Sequence, residues 1–571
     1  MGLHNMPGIP EPSLSELRDT IFKLKDRKGQ TEPAENGLSH RYTLGGHTAT
    51  AKEFVFGGSP PPDLPLEDPK QFAMGWTTYK GVYADAEKHL NDYARTLTDV
   101  DYANEQFWPT IAKYGAAYNL LILRKVTDAR FAQLNLKYPN RAFEYNYGSI
   151  HREGRLYEID FSIFESLGAW YYHGKPARFN PATLTLLVKD PKNKGVFTPI
   201  WIAVWDLGKG PHREDFYCLG YHWQKPGSWL YALQAVKSSV TLYGIWLGHV
   251  YHWHMVTAAM QGTWYENIHG DHPLHQLLVR HLDYLTPFDY ALLDGAGWPY
   301  NEFLNFSTIA PPSRIADVKS FLQLTDKFAA GREFFDDDPR RELARNGLLE
   351  ADFTRETSWD CYPAAQFLLR IWDICEQFMS EVVDHSYADD HAVAADTPLQ
   401  NWMKAAADPH KGNLRGLPPM TGKNALKSVL TSLIYRVTAH GVSRLVNTAN
   451  PSLTFVANFP PCLQSPTLVL GSDDLTTQEL LKYLPNTTTI GDMLKFYFAF
   501  VFSKPYVPLL PSVSVGHLTP DTRRSAPGYD LYFPGNILTD PRNAALVRFR
   551  MAMEQVMGIE NIEQWPRNIE T

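Results

Sequence analysis

A histidine-rich stretch at residues 229–281 decides the fold: WLYALQAVKSSVTLYGIWLGHVYHWHMVTAAMQGTWYENIHGDHPLHQLLVRH. Its first part, 229–260, is apolar all round, which is typical of a central helix buried on every side. His249 and His254 follow within this helix, and the end of the stretch reads H-P-x-x-x-L-L-x-x-H from His272 to His281. Imidazoles on a buried helix are typical of metal ligands or of groups that transfer protons.

The stretch resembles the metal-binding helix region of the lipoxygenases. That family's pattern is W-L-x-A, a histidine, four residues, a second histidine and later H-P-x-x-x-L-L-x-x-H. The residues that match without a gap are Trp229, Ala232, His249, His254, His272, Pro273, Leu277, Leu278 and His281. Further along, PLQNWMKAA (398–406) resembles the family's E-L-Q-x-W. The resemblance covers roughly residues 100–571 in matching order.

The fold implied by the resemblance is mainly α, a lipoxygenase-like catalytic domain with two long buried central helices and a small β subdomain. The central helices are expected at about 229–260 and 424–447. Alternation of β-branched and aromatic residues predicts strands for the subdomain at about 150–205. These strands are GRLYEIDFS (154–162) and TLTLLVKD (183–190), and FTPIWIAVW (197–205), which resembles the family's L-x-P-x-A-I-x-L, continues the sheet.

The domain organisation is predicted from composition along the chain. Pro-rich pieces such as GSPPPDLPLEDP (58–69) indicate that residues 1–74 form an extended, partly disordered arm. From residue 75 the pattern becomes helical. We therefore expect 75–571 to be one lipoxygenase-like domain, with the C-terminus returning to the core.

Charge and composition limit the classes of partner. The net charge of −8 without a basic block argues against a nucleic-acid partner. An aromatic share of 13% suits an apolar tunnel for a small-molecule substrate such as a fatty acyl or polyene chain. No apolar run is long enough for a transmembrane segment, and peripheral membrane contact stays open. Four scattered cysteines and an N-terminus without a secretory signal predict a cytoplasmic protein.

The resemblance assigns the family's metal ligands to five positions. Lipoxygenases hold one non-haem iron, or manganese in some fungal members. The ligands are two histidines from one central helix, a histidine and usually an asparagine from the other, and the C-terminal carboxylate. Gap-free matching puts Gly244 at the first histidine, His249 at the second and His440 at the third. Arg444 stands at the fourth side chain, and Thr571 supplies the terminal carboxylate.

Two of these positions cannot ligate a metal. Glycine has no side chain, and a guanidinium offers only hydrogen-bond donors. At about 4 Å and an effective dielectric near 20, a guanidinium and a divalent cation repel by roughly 8 kcal/mol. The gap-free register therefore predicts no resident metal. In that register Arg444 pairs with the Thr571 carboxylate, and His249 and His440 serve in proton transfer.

A second register keeps a metal. His249 and His254 have the family's ligand spacing themselves. With a shift of five residues they become the histidine pair, His440 the third ligand, Asn447 a candidate fourth and the Thr571 carboxylate the last. This register predicts one non-haem iron or manganese and requires insertions and deletions around the helix.

Other polar residues have structural interpretations. His252 is expected to be a hydrogen-bonded interior residue, and His272 and His281 match structural positions of the family. The acidic run at 336–338, followed by Arg340 and Arg341, predicts a solvated surface turn.

Three functions remain open from the sequence. The first is a lipoxygenase-fold enzyme of specialised (secondary) metabolism. It acts on a polyunsaturated acyl or polyketide-like chain, with a degraded iron site and with chemistry shifted to cyclisation or isomerisation. The second is a metal-dependent dioxygenase that inserts oxygen into a polyunsaturated fatty acid through His249, His254 and His440. The third is a lipid-binding pseudoenzyme without catalysis.

Overall fold

A computed structural model describes the parts of the chain from which the fold is built. They are residues 41–44, 47–50, 107–112, 121–137, 147–167, 171–172, 178–179, 181–191, 196–205, 216–219, 226–244, 247–248, 252, 256–268, 272–275, 277, 327–348, 362–449, 463, 475–483 and 540–557. The predictions on His249, His254, His281 and Thr571 lie outside these ranges, as does the boundary near residue 74 after which the helical pattern begins.

The strands form one five-stranded sheet and two short hairpins. Their bounds are β1 (Arg41–Leu44), β2 (His47–Thr50), β3 (Arg124–Lys125), β4 (Leu156–Asp160), β5 (Tyr171–Tyr172), β6 (Arg178–Phe179), β7 (Ala182–Lys189), β8 (Phe197–Trp205) and β9 (Phe216–Leu219). The large sheet is antiparallel with the order β3-β4-β7-β8-β9. It contains the three strands that sequence alternation predicted, and it extends beyond the predicted range on both sides.

Strand β7 joins the sheet to the first central helix. Its residues 182–187 are all buried, because the strand lies between β4 and β8 and beneath a helix. The Thr183 hydroxyl donates a hydrogen bond to Ser239 Oγ at 3.0 Å, and Ser239 Oγ lies 2.8 Å from the Pro181 carbonyl oxygen. Small hydroxyl side chains allow this close approach, so the sheet rests directly on the helix.

The helices account for most of the described residues. Their bounds are α1 (Asp128–Lys137), α2 (Tyr147–Arg152), α3 (Pro226–Tyr243), α4 (Val256–Tyr265), α5 (Pro339–Arg345), α6 (Pro363–Ser386), α7 (Asp390–Ala395), α8 (Thr397–Ala407), α9 (Lys423–Ala449), α10 (Thr477–Tyr483) and α11 (Pro541–Met557). Residues 107–112 are also helical, and short 3-10 helices cover Ser162–Leu167 and Phe334–Asp337. The predicted fold class, mainly α with a small β subdomain, is confirmed.

The first central helix is less regular than its sequence suggests. Helix α3 ends at Tyr243, and α4 begins at Val256. The described residues between them, Gly244, Leu247, Gly248 and His252, are π-helical rather than α-helical. Wide turns of this kind are frequent at functional sites. Apolar periodicity does not distinguish a π turn from an α turn, so the sequence predicted one continuous helix over 229–260.

The second central helix matches its prediction closely. Helix α9 runs from Lys423 to Ala449, against the expected 424–447. Residues 429–439 are buried without a break. Helix α6 packs along it, with the Trp372 and Tyr435 rings 4.9 Å apart. On its other flank α6 contacts α11 through stacked Phe378 and Phe549, 4.5 Å apart.

No helix in the described ranges is long and apolar enough to cross a membrane. In the stretch predicted as an arm, the structure describes the hairpin of β1 and β2, which pairs Arg41 with Thr50 and Leu44 with His47.

A buried hydrogen bond ties α8 to the first central helix, and its removal should be measurable. Trp402 is fully buried and donates from Nε1 to the Met260 carbonyl oxygen at 3.1 Å. Trp402→Phe keeps an aromatic ring but removes the indole donor and leaves part of the buried indole's space empty, while the Met260 carbonyl oxygen keeps the Thr263 hydroxyl at 3.1 Å. We expect a loss of about 1–3 kcal/mol in the free energy of unfolding, measured by urea denaturation. Lys404→Ala, an exposed change on the same helix, should stay within about 0.5 kcal/mol. A Trp402→Phe variant as stable as Lys404→Ala would contradict this assignment.

Candidate functional site

The predicted ligand positions fall on the two central helices. Gly244 is buried in the first π-helical turn after α3. Residues His440, Arg444 and Asn447 lie within α9, spaced by four and three positions. That spacing puts the three positions on one face of the helix. The structure therefore brings Gly244 into the core, and it gives the α9 positions a common face.

The residues at these positions do not fit the family's metal set. Gly244 offers no side chain from its buried turn, and the guanidinium of Arg444 has no lone pair to give in its protonated state. Two of the four side-chain ligands are thus missing in the gap-free register. Among the residues that the structure describes, no group of three or more His, Cys, Asp or Glu side chains is arranged to hold a metal ion.

A small polar cavity lies where the two central helices meet the sheet. Its volume is about 50 Å³, and its walls come from the π turns, the sheet edge, α5 and α9. The lining residues are Leu121, Ile122, Arg124, Asp160, Phe161, Tyr243, Gly248, His252, Arg332, Asp337, Glu342, Tyr435 and Arg436. The wall is therefore rich in ionisable groups, although it lies beside the hydrophobic core.

Asp337 is the centre of these charges. Its Oδ1 lies 2.6 Å from His252 Nδ1 and 3.7 Å from Arg332 Nη2. Its Oδ2 accepts a hydrogen bond from Arg436 Nε at 2.6 Å. Arg436 also donates to the Phe334 carbonyl oxygen at 3.0 Å. One carboxylate thus links the π turn, the 3-10 turn and α9.

The prediction of a solvated turn at 336–338 is wrong for Asp337. Its side chain is only 13% exposed, because Phe334 and Phe335 insert into the core and carry the 3-10 turn inward. Asp336 instead pairs with Arg345 at 2.9 Å. Asp338 accepts a hydrogen bond from the Arg340 backbone N–H and so caps the start of α5. The two phenylalanines before the acidic run were the sequence signal for burial.

The protonation states of Asp337 and His252 follow from their burial and from the charges beside them. Burial alone would raise the pKa of Asp337, but the neighbouring cations and the hydrogen bond from His252 outweigh it, so the pKa lies well below its usual range. Burial lowers the pKa of His252 to about 4, and the positive charge of Arg332 acts in the same direction. The negative charge of Asp337 opposes that shift. At neutral pH the pair is therefore a carboxylate that accepts from a neutral imidazole.

Glu342 has the opposite shift. Burial raises its pKa to about 7, against the attraction of Arg332 and Arg345. Burial also raises the pKa of Tyr243 and that of Tyr435, so both phenols stay protonated. The cavity wall thus combines one fixed anion, one carboxyl that titrates near neutrality and two phenols. Such a set can hold, donate or accept a proton.

Sequence reasoning missed Arg332, Asp337, Glu342 and Arg436 as site residues. One signal was present: Arg436 is the single charged residue in the buried run SLIYRVTA of α9 (432–439). A lone cation in a buried run needs a buried anion nearby. The sequence does not say which of its many carboxylates supplies that anion.

The predicted structural roles of His252 and His272 are confirmed. His252 is a hydrogen-bonded interior residue, through Asp337. His272 Nδ1 accepts from the Leu274 backbone N–H at 3.1 Å, and its Nε2 lies 3.1 Å from Asp396 Oδ2. The Asp396 side chain caps the start of α8 by accepting a hydrogen bond from the Leu399 backbone N–H. It also accepts a hydrogen bond from the Tyr387 hydroxyl at 2.7 Å.

Neutralising Asp337 should destabilise the fold strongly. Asp337→Asn leaves the buried guanidinium of Arg436 without its anion. Breaking a buried pair from one side costs about 3–5 kcal/mol of unfolding free energy, which urea denaturation would report. Asp373→Asn breaks the exposed pair with Arg340 instead and should cost less than about 1 kcal/mol. Equal losses in the two variants would show that the Asp337 cluster is not a support of the fold.

The raised pKa of Glu342 predicts a pH dependence with a defined sign. The folded state holds the Glu342 proton up to a pKa of about 7, whereas the unfolded chain releases it near 4.5. The folded state thus binds more protons between these values, and this group's contribution to stability falls as pH rises through that window. Glu342→Gln removes the titration, so the stability of the wild type relative to the variant should fall from about pH 4.5 to about pH 7. Thermal unfolding across this range measures it. A constant difference between the two proteins would refute the shift.

Comparison with known proteins shows which family the chain is similar to. Residues 341–466 match the family model described as lipoxygenase, and this segment includes the His440 and Arg444 positions. The polyunsaturated fatty acid lipoxygenase ALOX15B of Rattus norvegicus is 24% identical over 322 residues, which is 55% of this chain and 43% of that protein. The chain spans less than half the length of the curated relatives that it matches.

Solved structures show the same fold over nearly the whole chain. A fungal lipoxygenase from Fusarium graminearum has a TM-score of 0.65 at 15% identity, covering 96% of this chain and 95% of that one. A calcium-dependent 11R-lipoxygenase also has a TM-score of 0.65, at 14% identity, covering 98% of this chain and 81% of that one. The match over 341–466 and the shared fold show that this chain has the lipoxygenase catalytic-domain fold and is similar to the fatty acid lipoxygenases.

Proposed function

We propose that the chain is a lipoxygenase-fold enzyme that rearranges a polyunsaturated acyl or polyketide-like chain without the family's iron chemistry. The reaction is a redox-neutral cyclisation or isomerisation. The observation that supports the proposal is Gly244, which is buried in the π turn and which gap-free matching assigns to the family's first histidine ligand. A site that lacks two ligands is poorly suited to a metal that must change its oxidation state.

The class of substrate is supported by the relatives. The curated proteins that the chain resembles carry the names polyunsaturated fatty acid lipoxygenase and linoleate 9/13-lipoxygenase. An aromatic content of 13% suits the binding of such an apolar chain. The assignments to specialised metabolism and to the cytoplasm rest on the sequence alone and stay predictions.

The proposed chemistry needs only proton transfer and positioning. An isomerisation moves a proton from one carbon of the polyene to another, so no oxidant or reductant is consumed. We assign this transfer to His249 and His440, with Arg444 paired to the Thr571 carboxylate in the space that a metal would fill. A positioned acid or base contributes about 10²–10⁴ in rate. One of the charges that surround Asp337 lies on the same helix as His440, since Arg436 is one turn before it.

Three measurements on one protein sample test the proposal. We expect untagged protein, expressed with added iron and manganese, to contain almost no metal by mass spectrometry. Incubation with a panel of polyenes should give a product of unchanged mass and no oxygen uptake. Near one metal per chain, with a conjugated diene product that has gained two oxygen atoms, would overturn the proposal. That outcome would assign the dioxygenase with His249, His254 and His440.

Variants separate catalysis from binding. His440→Gln and Arg444→Gln should each lower the rate of product formation by at least about 10²-fold. Arg548→Gln is the matched control, because Arg548 is 54% exposed and pairs with Glu381 on the opposite flank of α6. It should leave the rate unchanged. Tight co-purification of a lipid, with no turnover of any polyene, would show a lipid-binding pseudoenzyme instead.

A further inference from the structure

Two guanidinium groups at the cavity carry donors that the described part of the chain does not satisfy. Arg436 is 3% exposed; its Nε and Nη2 donate to Asp337 and Phe334, but its Nη1 has no acceptor among the described residues. Arg332 is 13% exposed, and its Nε likewise has no acceptor. Both side chains line the cavity. Buried donors are rarely left unsatisfied in proteins, so their acceptors have to come from the cavity's contents.

We propose that this cavity is a binding site for a carboxylate group, held between Arg332 and Arg436. A carboxylate offers two oxygens in one plane, which matches the planar fork of a guanidinium. Neither the family resemblance nor the proposed reaction assigns a ligand to these residues. The inference therefore stands whether or not the chain turns over a polyene.

The charge around the cavity favours an anion. Its walls contain three guanidinium groups, from Arg124, Arg332 and Arg436. Of the three carboxyl groups that face them, Asp160 is turned to Arg130 at 2.7 Å, a residue outside the cavity wall that also pairs with Glu158 at 2.8 Å. Glu342 has a pKa of about 7 and is only partly ionised at neutral pH. Asp337 is then the one wall carboxylate that is fully charged and directed to the cavity's own guanidiniums, so positive charge is in excess. Water would satisfy the free donors but would not offset that charge.

The two guanidinium groups are held rigidly for this role. Arg436 Cζ lies 4.8 Å from the centre of the Phe334 ring, and Arg332 Cζ lies 4.8 Å from the Phe328 ring. Stacking on an aromatic face fixes the plane of a guanidinium. Binding therefore requires little ordering of the protein, and the donors are preorganised for a planar ligand.

The size of the cavity sets the size of the ligand. About 50 Å³ is room for a carboxylate group with a few atoms attached, since one water needs about 10–15 Å³ by the same measure. A long acyl chain does not fit within it. Arg124 on strand β3 lines the cavity and is itself exposed, which marks the side from which a ligand can enter.

Acetate and acetamide are the first pair of probes, because they have nearly the same shape and differ in charge. Titrating the full chain with each, in a buffer without other carboxylates, we expect saturable heat of binding and a raised unfolding temperature with acetate only. If the two probes act alike, or if neither binds, the cavity holds water and the proposal is overturned.

Arg332→Lys tests the site without removing its charge. Lysine keeps the positive charge near Asp337 and Glu342 but lacks the guanidinium Nε–H. We expect acetate affinity to fall about tenfold. Arg345→Lys is the matched control, because Arg345 pairs with Asp336 and Glu342 but does not line the cavity. The acetate affinity of the Arg345→Lys variant should equal that of the wild type. Equal affinity in Arg332→Lys and Arg345→Lys would refute the site.

A second variant protects the test against misfolding. Arg436→Lys also retains its charge beside Asp337 and should weaken acetate binding at least as much as Arg332→Lys. Circular dichroism and the unfolding temperature without ligand establish that each variant is folded. If both variants are folded and neither loses affinity for acetate, the proposal is overturned.

The source of the carboxylate is found by competition. Linoleic acid and its methyl ester differ only at the carboxyl end. If the acid displaces labelled acetate and the ester does not, the site holds the head of a longer molecule. If acetate stays bound in the presence of the acid, the site holds a small free carboxylate. Both results support a carboxylate site, and the variants above decide whether it exists.

Discussion

The pairing of Asp337 with Arg436 is the constraint on which the inner part of the structure depends. Arg436 lies in the middle of α9, in a run where every neighbour is buried. A guanidinium cannot stay in such a place without an anion, since the desolvation of an unpaired charge costs several kcal/mol. Asp337 supplies that anion from a 3-10 turn, and His252 joins it from the π turn of the other central helix. The positions of three separate segments are thereby coupled.

This coupling explains the course of the chain around the 3-10 turn. Phe334 and Phe335 fill apolar space, so the turn is drawn into the core, and Asp337 follows to meet Arg436. Asp338 then stays near the surface and caps α5, which in turn presents Glu342 to the cavity. A buried ion pair of this kind adds little net stability compared with apolar residues of equal size. Its effect is instead to fix one arrangement of the two central helices against the sheet.

Much of the architecture could be predicted because it follows from periodicity. The alternation in 154–162, 183–190 and 197–205 predicted β4, β7 and β8, and the apolar run of 424–447 predicted α9. The π turns after Tyr243 could not be predicted, because an added residue in a helical turn leaves no mark on an all-apolar sequence. The pairing of Asp337 with Arg436 was also missed, since it joins residues 99 positions apart and three adjacent aspartates look alike from sequence. Predictions on side chains at His249, His254 and Thr571 concern residues outside the described ranges and stay predictions.

The described supports of the two central helices lie beside the positions that gap-free matching assigns to the family's ligands. Among the described side chains, α9 is held by its packing on α6 and by the contacts of Arg436. The sheet is held on α3 by Ser239 and Thr183, five residues before Gly244 at the nearest. In the gap-free register, the proposed replacement of ligands by Gly244 and Arg444 therefore keeps the contacts of Arg436 and Ser239. Under that proposal the fold persists while the chemistry between its two central helices changes.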